Sequence, residues 1–373
     1  MANDLGPGVK APIKSKWFSR SYRSVSEAGE IQIIVAVLIV IFAIFIARFS
    51  WTLPDGETPT PLTNSAERAF YDMRAYYSAD MVEQEDRVGA VVFTDEALFD
   101  LQKRSPLPRD VIASALRALD AMQPKAIGID ILFDQPQEED AELIETLRAM
   151  KTPTSVAYAN IDTNEDDIKK QQQEYLEAFL AELEGSLAKP ASIRLDGSFG
   201  STRVWPAINP DLPPVLGRSM VGESGELVER FEGYEGAIDY RRSMFEDQAN
   251  RDTEEVEDQI SASLFAKSDI RLFVDMEPFV FDFMADQIKD KYVLIGGDVV
   301  DFDRKSVTFT SVDGERPAGI YVHAEMIAQM LDGNVMTQIS SLVKWALAVL
   351  VVLTAVLIAL LEWPARRLVP IML

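Results

Sequence analysis

The sequence predicts an α/β fold: a mixed, mainly parallel sheet covered by helices, extracytoplasmic, and flanked by transmembrane helices. Three observations carry this expectation. Two long apolar runs stand near the two ends of a 373-residue chain. Between them, short β-branched runs alternate with segments of helical spacing, which implies parallel strands joined by crossovers. The chain carries 60 Asp and Glu against 36 Lys and Arg, a net charge of −24, and the acids lie between the two runs while basic residues flank them.

The first run, residues 33–47, is wholly apolar. Extended to 31–49 it makes about 28 Å of helix, enough to cross a hydrocarbon core about 30 Å thick. A thirty-residue tail precedes it and no small-x-small cleavage pattern follows, so it reads as a span and not as a removed signal. Arg48 and Trp51 suit an interfacial anchor. The second run, 342–361, is interrupted only by Thr354 and by Lys344, which lies near its end and can snorkel. Residues 1–30 hold five Lys/Arg against three acids, and Arg366 and Arg367 follow the second run, so both flanks are expected in the cytoplasm. About −27 of charge is left for the segment between them.

The expected organisation is therefore a cytoplasmic tail (1–30), a transmembrane helix (31–49), an extracytoplasmic domain (52–341), a second transmembrane helix (342–361), and a cytoplasmic link opening a truncated third helix (362–373). Such a chain belongs in a bacterial inner (plasma) membrane, with its large domain on the periplasmic or extracellular side. The lipid bilayer is its first expected partner.

Within the domain, residues 65–81 have helical spacing after a polar, proline-bearing connector. Residues 87–93 form an apolar strand ending in Thr94, Asp95 and Glu96. Val111, Ile112, Ala115, Leu116, Leu119 and Met122 mark a helix over 109–122. Strands are expected at 126–133, 155–161 and 292–297, and helices at 140–150 and 321–331. A charged, Gln-rich helix over 165–187 interrupts this order. It reads as an insertion packed over the sheet or against a partner, or as an ordinary covering helix. Residues 188–275 are Gly- and Pro-punctuated, with weak strand candidates at 193–195, 237–240 and 272–273.

Composition excludes several functions. There is no Cys and a single His, His323, so disulfides, thiolate zinc sites, Cys nucleophiles and His-rich metal sites are out. The acidic balance argues against nucleic acid as a partner. No nucleophile–base pair can be assembled, so the chain reads as a non-enzyme without catalytic residues or cofactor.

Ligands gather outside the carboxyl ends of parallel strands. Here those ends carry Asp95 and Glu96, Asp130 and Asp134, and Gly297, Asp298, Asp301 and Asp303. The acidic edge reads either as a weak ligand site for a divalent cation or cationic group, or as carboxylates that each begin a helix. Whether a metal binds is left open. His323, between apolar residues on a helix, reads as a core or boundary residue.

Several pieces, in order, are familiar. They are Asp72-Met73-Arg74, the strand and acidic turn over 91–98, and Pro106-Leu107-Pro108-Arg109. Next come the strand over 127–133 with Asp140 beyond it, and Ala237-Ile238-Asp239-Tyr240-Arg241. The last are the strand over 291–296, Asp303, and the block over 317–324. Together they resemble the CHASE type-two sensory domain, an extracellular module of bacterial receptors with cyclase or histidine-kinase output. The resemblance implies a signal-sensing module of a bacterial membrane receptor, working as a homodimer. Its output domain, a cyclase or histidine kinase, would be absent from this chain, either lost or carried by a partner. It also marks Asp72, Arg74 and Arg109 as structural, each arginine being expected to pair with a carboxylate of the acidic edge. The alternative is a stand-alone membrane scaffold that docks another envelope protein through the 165–187 face.

Overall fold

Six short runs rich in Val, Ile and Ala lie side by side, and helical turns after each return the chain to the same end of the sheet. The computed structural model describes residues 30–49, 64–163, 168–195, 200–244, 264–274, 276–300, 303–336 and 340–360. These fall into two compact units, one within Arg68–Thr337 and one holding the first and last helices.

In the larger unit, helix α2 (Asn64–Ser78) leads to strands β1 (Met81–Val82) and β2 (Glu85–Thr94). Helices α3 (Asp95–Asp100) and α4 (Arg109–Met122) cross to β3 (Ala126–Ile129). Then α5 (Asp140–Ala149), β4 (Thr154–Tyr158), α6 (Lys170–Ala181) and β5 (Ala188–Ser192) step outward along one side. Helices α7 (Leu216–Glu223) and α8 (Glu229–Glu232), and strand β6 (Arg242–Ser243), precede β7 (Phe265–Asp269) on the opposite edge. Helix α9 (Pro278–Ile288) returns the chain to β8 (Tyr292–Asp298), which inserts at the centre. Helices α10 (Thr310–Asp313) and α11 (Gly319–Asp332) follow. The order across the sheet is β5-β4-β3-β8-β2-β7.

Side chains alternate across a strand, and the two faces feed two cores. Val91, Phe93, Ile127, Ile129, Val293 and Ile295 meet α4, α5, α6 and α9 on one face. Ala90, Val92 and Leu294 meet α7 and α11 on the other. On α4, Ile112, Leu116 and Leu119 share one face and are fully buried, each contributing roughly 1.5–3 kcal/mol. Helix α7 sits close on the sheet because Gly128 leaves room for Met220: a Cβ there would lie 2.4 Å from the Met220 Sδ.

In the smaller unit, α1 (Glu30–Phe49) and α12 (Ser341–Leu360) pack together. Phe45 meets Trp345 edge-on with ring centres 5.4 Å apart, and Arg48 donates to Ser341 Oγ at 3.2 Å. The end of α1 thus lies beside the start of α12. Among the described residues no helix is long and apolar enough to cross a membrane.

Several expectations are corrected. The sheet is not mixed: every described pairing of its six strands is parallel. The candidate strand at 193–195 lies past the end of β5, and 237–240 makes only an isolated bridge from Ala237 to Val204. Leu272 and Phe273 belong to a 3-10 turn, Ile270–Phe273, started by Asp269 capping Arg271. Helix α6 is no insertion. It is the crossover between β4 and β5, and Leu176, Phe179 and Leu180 bury its apolar face in the core. The tail at 1–29, the connector at 50–63, residues 165–167, Asp301 and the link at 362–373 lie outside the described residues.

Candidate functional site

The carboxyl ends of the central strands carry the predicted acids, but local cations and backbone groups disperse most of them. Thr94, closing β2, accepts from the Ala97 amide at 3.1 Å and so caps α3. Asp95 follows in the first turn, where negative charge is favoured. It accepts from the Val300 amide at 2.9 Å and faces Arg104 at 3.7 Å. Glu96 points outward, 3.8 Å from Arg271. Asp298, opposite Thr94 at the end of β8, accepts from Arg304 and from the Tyr321 hydroxyl, both at 2.8 Å. Asp134 sits apart and accepts from Gln172. Gly297 lies in β8 beside Phe93, with open space where a side chain would be.

Asp130 and Asp303 are the pair brought together. Asp130 follows β3, with its amide bonded to Ile295 O at 2.8 Å. Burial, and next the charge of Asp303, push its carboxyl up to about 8, while Lys305 acts against them. Asp303 takes a left-handed backbone (φ 52°) and pairs with Lys305 at 2.6 Å. Its carboxylate lies against the backbone of Gly319, the first residue of α11, where any Cβ would collide with it. Among the described residues no group of three His, Asp or Glu is placed to hold a metal ion. His323 is fully buried, and desolvation, helped by Lys305, pushes its imidazole down to about 3. It is therefore a neutral core residue.

A cleft of about 390 Å3 opens between β7 and the first turns of α11. Its wall combines Phe265, Tyr321 and Phe309 with Arg241, Lys267 and Arg304. The Phe265 and Tyr321 rings are nearly parallel at 14°, with centres 6.4 Å apart, and the Arg241 guanidinium lies 5.9 Å from the Phe265 ring. Arg241 is buried and donates to Glu85 at 2.7 Å and to Glu325 at 3.2 Å. Burial alone would raise the Glu85 carboxyl, but hydrogen bonds from Arg87 and Arg241 hold it at about 2. At Glu325 burial wins over Arg241 and pushes the carboxyl up to about 7.

The three residues expected to be structural separate. Asp72 is buried on α2 and takes a bidentate grip from Arg203, Nε to Oδ1 at 2.8 Å and Nη2 to Oδ2 at 2.7 Å. Arg109 is buried; of the acidic edge, Asp134 acts on its charge, but its ion pair lies elsewhere. It pairs with Asp140 at the start of α5 and donates to Gln135 O at 2.5 Å. Arg74 is exposed, with no carboxylate ion pair among the described residues, because its face of α2 turns away from the core.

The CHASE2 domain family model matches residues 36–361. The chain belongs to the CHASE2 family. CHASE2 is a family of extracellular sensory domains and not of catalytic ones. No curated protein and no solved structure matches this CHASE2 chain. The match begins inside α1 and ends just past α12. Sequence reasoning had Tyr240 and Arg241 in view as a motif but missed that they line a cleft. Lys267 and Arg304 gave no signal: Lys267 is a lone basic residue, Arg304 stands among acids beside Lys305, and only the fold makes the two neighbours.

Proposed function

We propose that this CHASE2 chain is the extracytoplasmic signal-sensing module of a bacterial membrane receptor, acting as a homodimer. The observation that carries the reading is the family match, which runs from one apolar helix to the other. The apolar sequences of 31–49 and 342–361 and their basic flanks support placing both helices in the inner membrane, with the acidic domain outside. Packing of the α1 end beside the α12 start suits a chain that leaves and re-enters the bilayer at one surface.

A ligand in the cleft would act by binding one of two arrangements of the domain more tightly than the other. The helices would pass that preference to a cyclase or histidine-kinase output. The scaffold reading loses its support, because the apolar face of α6 is buried in its own domain.

Topology reporters test the reading. Alkaline phosphatase fused after residue 200 should be active and a fluorescent protein at the same point dark, with the opposite pattern at residue 20. A fluorescent fusion at residue 200 would refute it.

A further inference from the structure

The hydrogen-bonding groups of the cleft are out of balance, and the imbalance points to a ligand class. Each oxygen of Asp298 already accepts, one from Arg304 and one from Tyr321. Both oxygens of Glu325 accept from Arg241, one from its amide and one from Nε. Donors are in surplus. The side chain of Arg241 is 8% exposed, and its Nη2 has no hydrogen-bond partner. Lys267 stands on the edge strand with Nζ 3.8 Å from Asp298, an ion pair beyond hydrogen-bond reach, and this Nζ makes no hydrogen bond among the described residues. A buried guanidinium nitrogen without an acceptor is uncommon and calls for an explanation. A bound group that brings acceptors supplies one.

Much of the apolar lining of the cleft is aromatic: Phe265, Tyr321 and Phe309 stand beside these donors. Its volume, about 390 Å3, falls in the range of small-molecule sites, roughly 300–1,000 Å3. An inorganic anion would use the donors and leave this wall idle. Two exposed carboxylates, Asp313 and Glu315, stand at the mouth and oppose any anion entering. The interior donors outweigh them, because Arg241 is desolvated and Lys267 has all three N–H groups to offer.

We infer that the cleft binds a small organic anion, a carboxylate on an apolar body, with its oxygens on Lys267 and Arg241 and its body against Phe265, Tyr321 and Phe309. As the signal of the receptor, this ligand rests on the sensory reading; as a bound molecule it does not.

The test uses the purified full chain with benzoate, hexanoate, hexylamine and inorganic phosphate at matched ionic strength, by calorimetric titration and thermal melting. Benzoate or hexanoate should bind saturably and raise the melting temperature, while hexylamine does neither and phosphate binds about tenfold more weakly. Lys267→Gln should weaken carboxylate binding about tenfold, as loss of a charge-assisted hydrogen bond does, and leave the unliganded melt in place. Should that variant melt early, Arg316→Gln at the exposed mouth gives the same reading with a smaller loss. Three results overturn the inference: hexylamine or phosphate binding as well as the carboxylates, binding untouched by both variants, or no saturation by ~10 mM carboxylate, well above a Kd of about 1 mM. Carboxylate binding that changes no output in cells would sink the sensory reading and leave the site standing. Output that answers another signal, with no carboxylate bound, does the reverse.

Discussion

Removing the Arg109 side chain should destabilise the larger unit more than most single changes. Its guanidinium lies against a pair of packed aromatic rings, 5.3 Å from the centre of Phe133 and 5.5 Å from that of Phe179. It holds Asp140, whose other oxygen takes the Tyr175 hydroxyl, and it donates to Gln135 O. Burial pushes the Arg109 pKa down, opposed by Tyr175, Asp134 and Glu139. Breaking a buried ion pair costs about 3–5 kcal/mol. Asp140 keeps 15% exposure, which favours the lower half of that range. Each cation–π contact adds about 0.5–2 kcal/mol. Arg109→Ala should therefore cost about 4 kcal/mol and lower the melting temperature by roughly 8–16 °C, taking about 2–4 °C per kcal/mol for a unit of this size. Arg109→Met with Asp140→Asn, which removes both charges at similar volume, should recover part of the loss. Exposed Arg74→Ala is the control, at about 0–1 kcal/mol. Thermal melts of the purified chain decide the matter: if Arg109→Ala and Arg74→Ala melt alike, the buried pair carries no weight and the argument fails.

Three further outcomes follow from the same geometry. The Asp130 carboxyl, pushed up to about 8 from 3.8, keeps its proton in the folded state where the unfolded chain has lost it, so its effect on stability worsens as pH rises between those values; Asp130→Asn should raise the melting temperature at pH 8 and give no gain at pH 4, and an equal difference at both would contradict the assignment. Because no described carboxylate cluster can hold a metal, calcium should stabilise the chain no more than sodium at matched ionic strength, and a saturable calcium-specific rise in melting temperature would count against the dispersed arrangement. Gly128→Ala would drive a methyl to within 2.4 Å of Met220 Sδ and 2.8 Å of Leu294 Cδ2; overpacking of this kind should cost about 1–3 kcal/mol, and a melt unchanged from wild type would show that Met220 simply swings aside.

The sequence by itself determined the parts that local periodicity encodes. Short apolar, β-branched runs placed β2, β3, β4 and β8, and i, i+3, i+4 spacing placed α4, α5 and α11, because a strand covered on both faces is apolar throughout and a helix shows the one face it buries. The ordered pieces over 72–324 marked the family for the same reason, being short and contiguous. It also read His323 as a core or boundary residue from its apolar neighbours. Only the tertiary structure decided which charges meet. Arg109 finds Asp140 31 residues away, Asp72 finds Arg203 131 residues away, and Arg241 finds Glu85 156 residues away. No spacing rule reaches across such separations, because the partner is set by how crossovers lay one strand beside another. The acids at the strand ends were legible, but the cations that disperse them, Arg104, Arg271, Arg304 and Lys305, come from loops and edges with no pattern of their own. The cleft was hidden for the same physical reason. A cavity is the space left between packed elements, here β7 and α11, and its character changed from acidic to donor-rich only when Arg241 and Lys267 were folded against it.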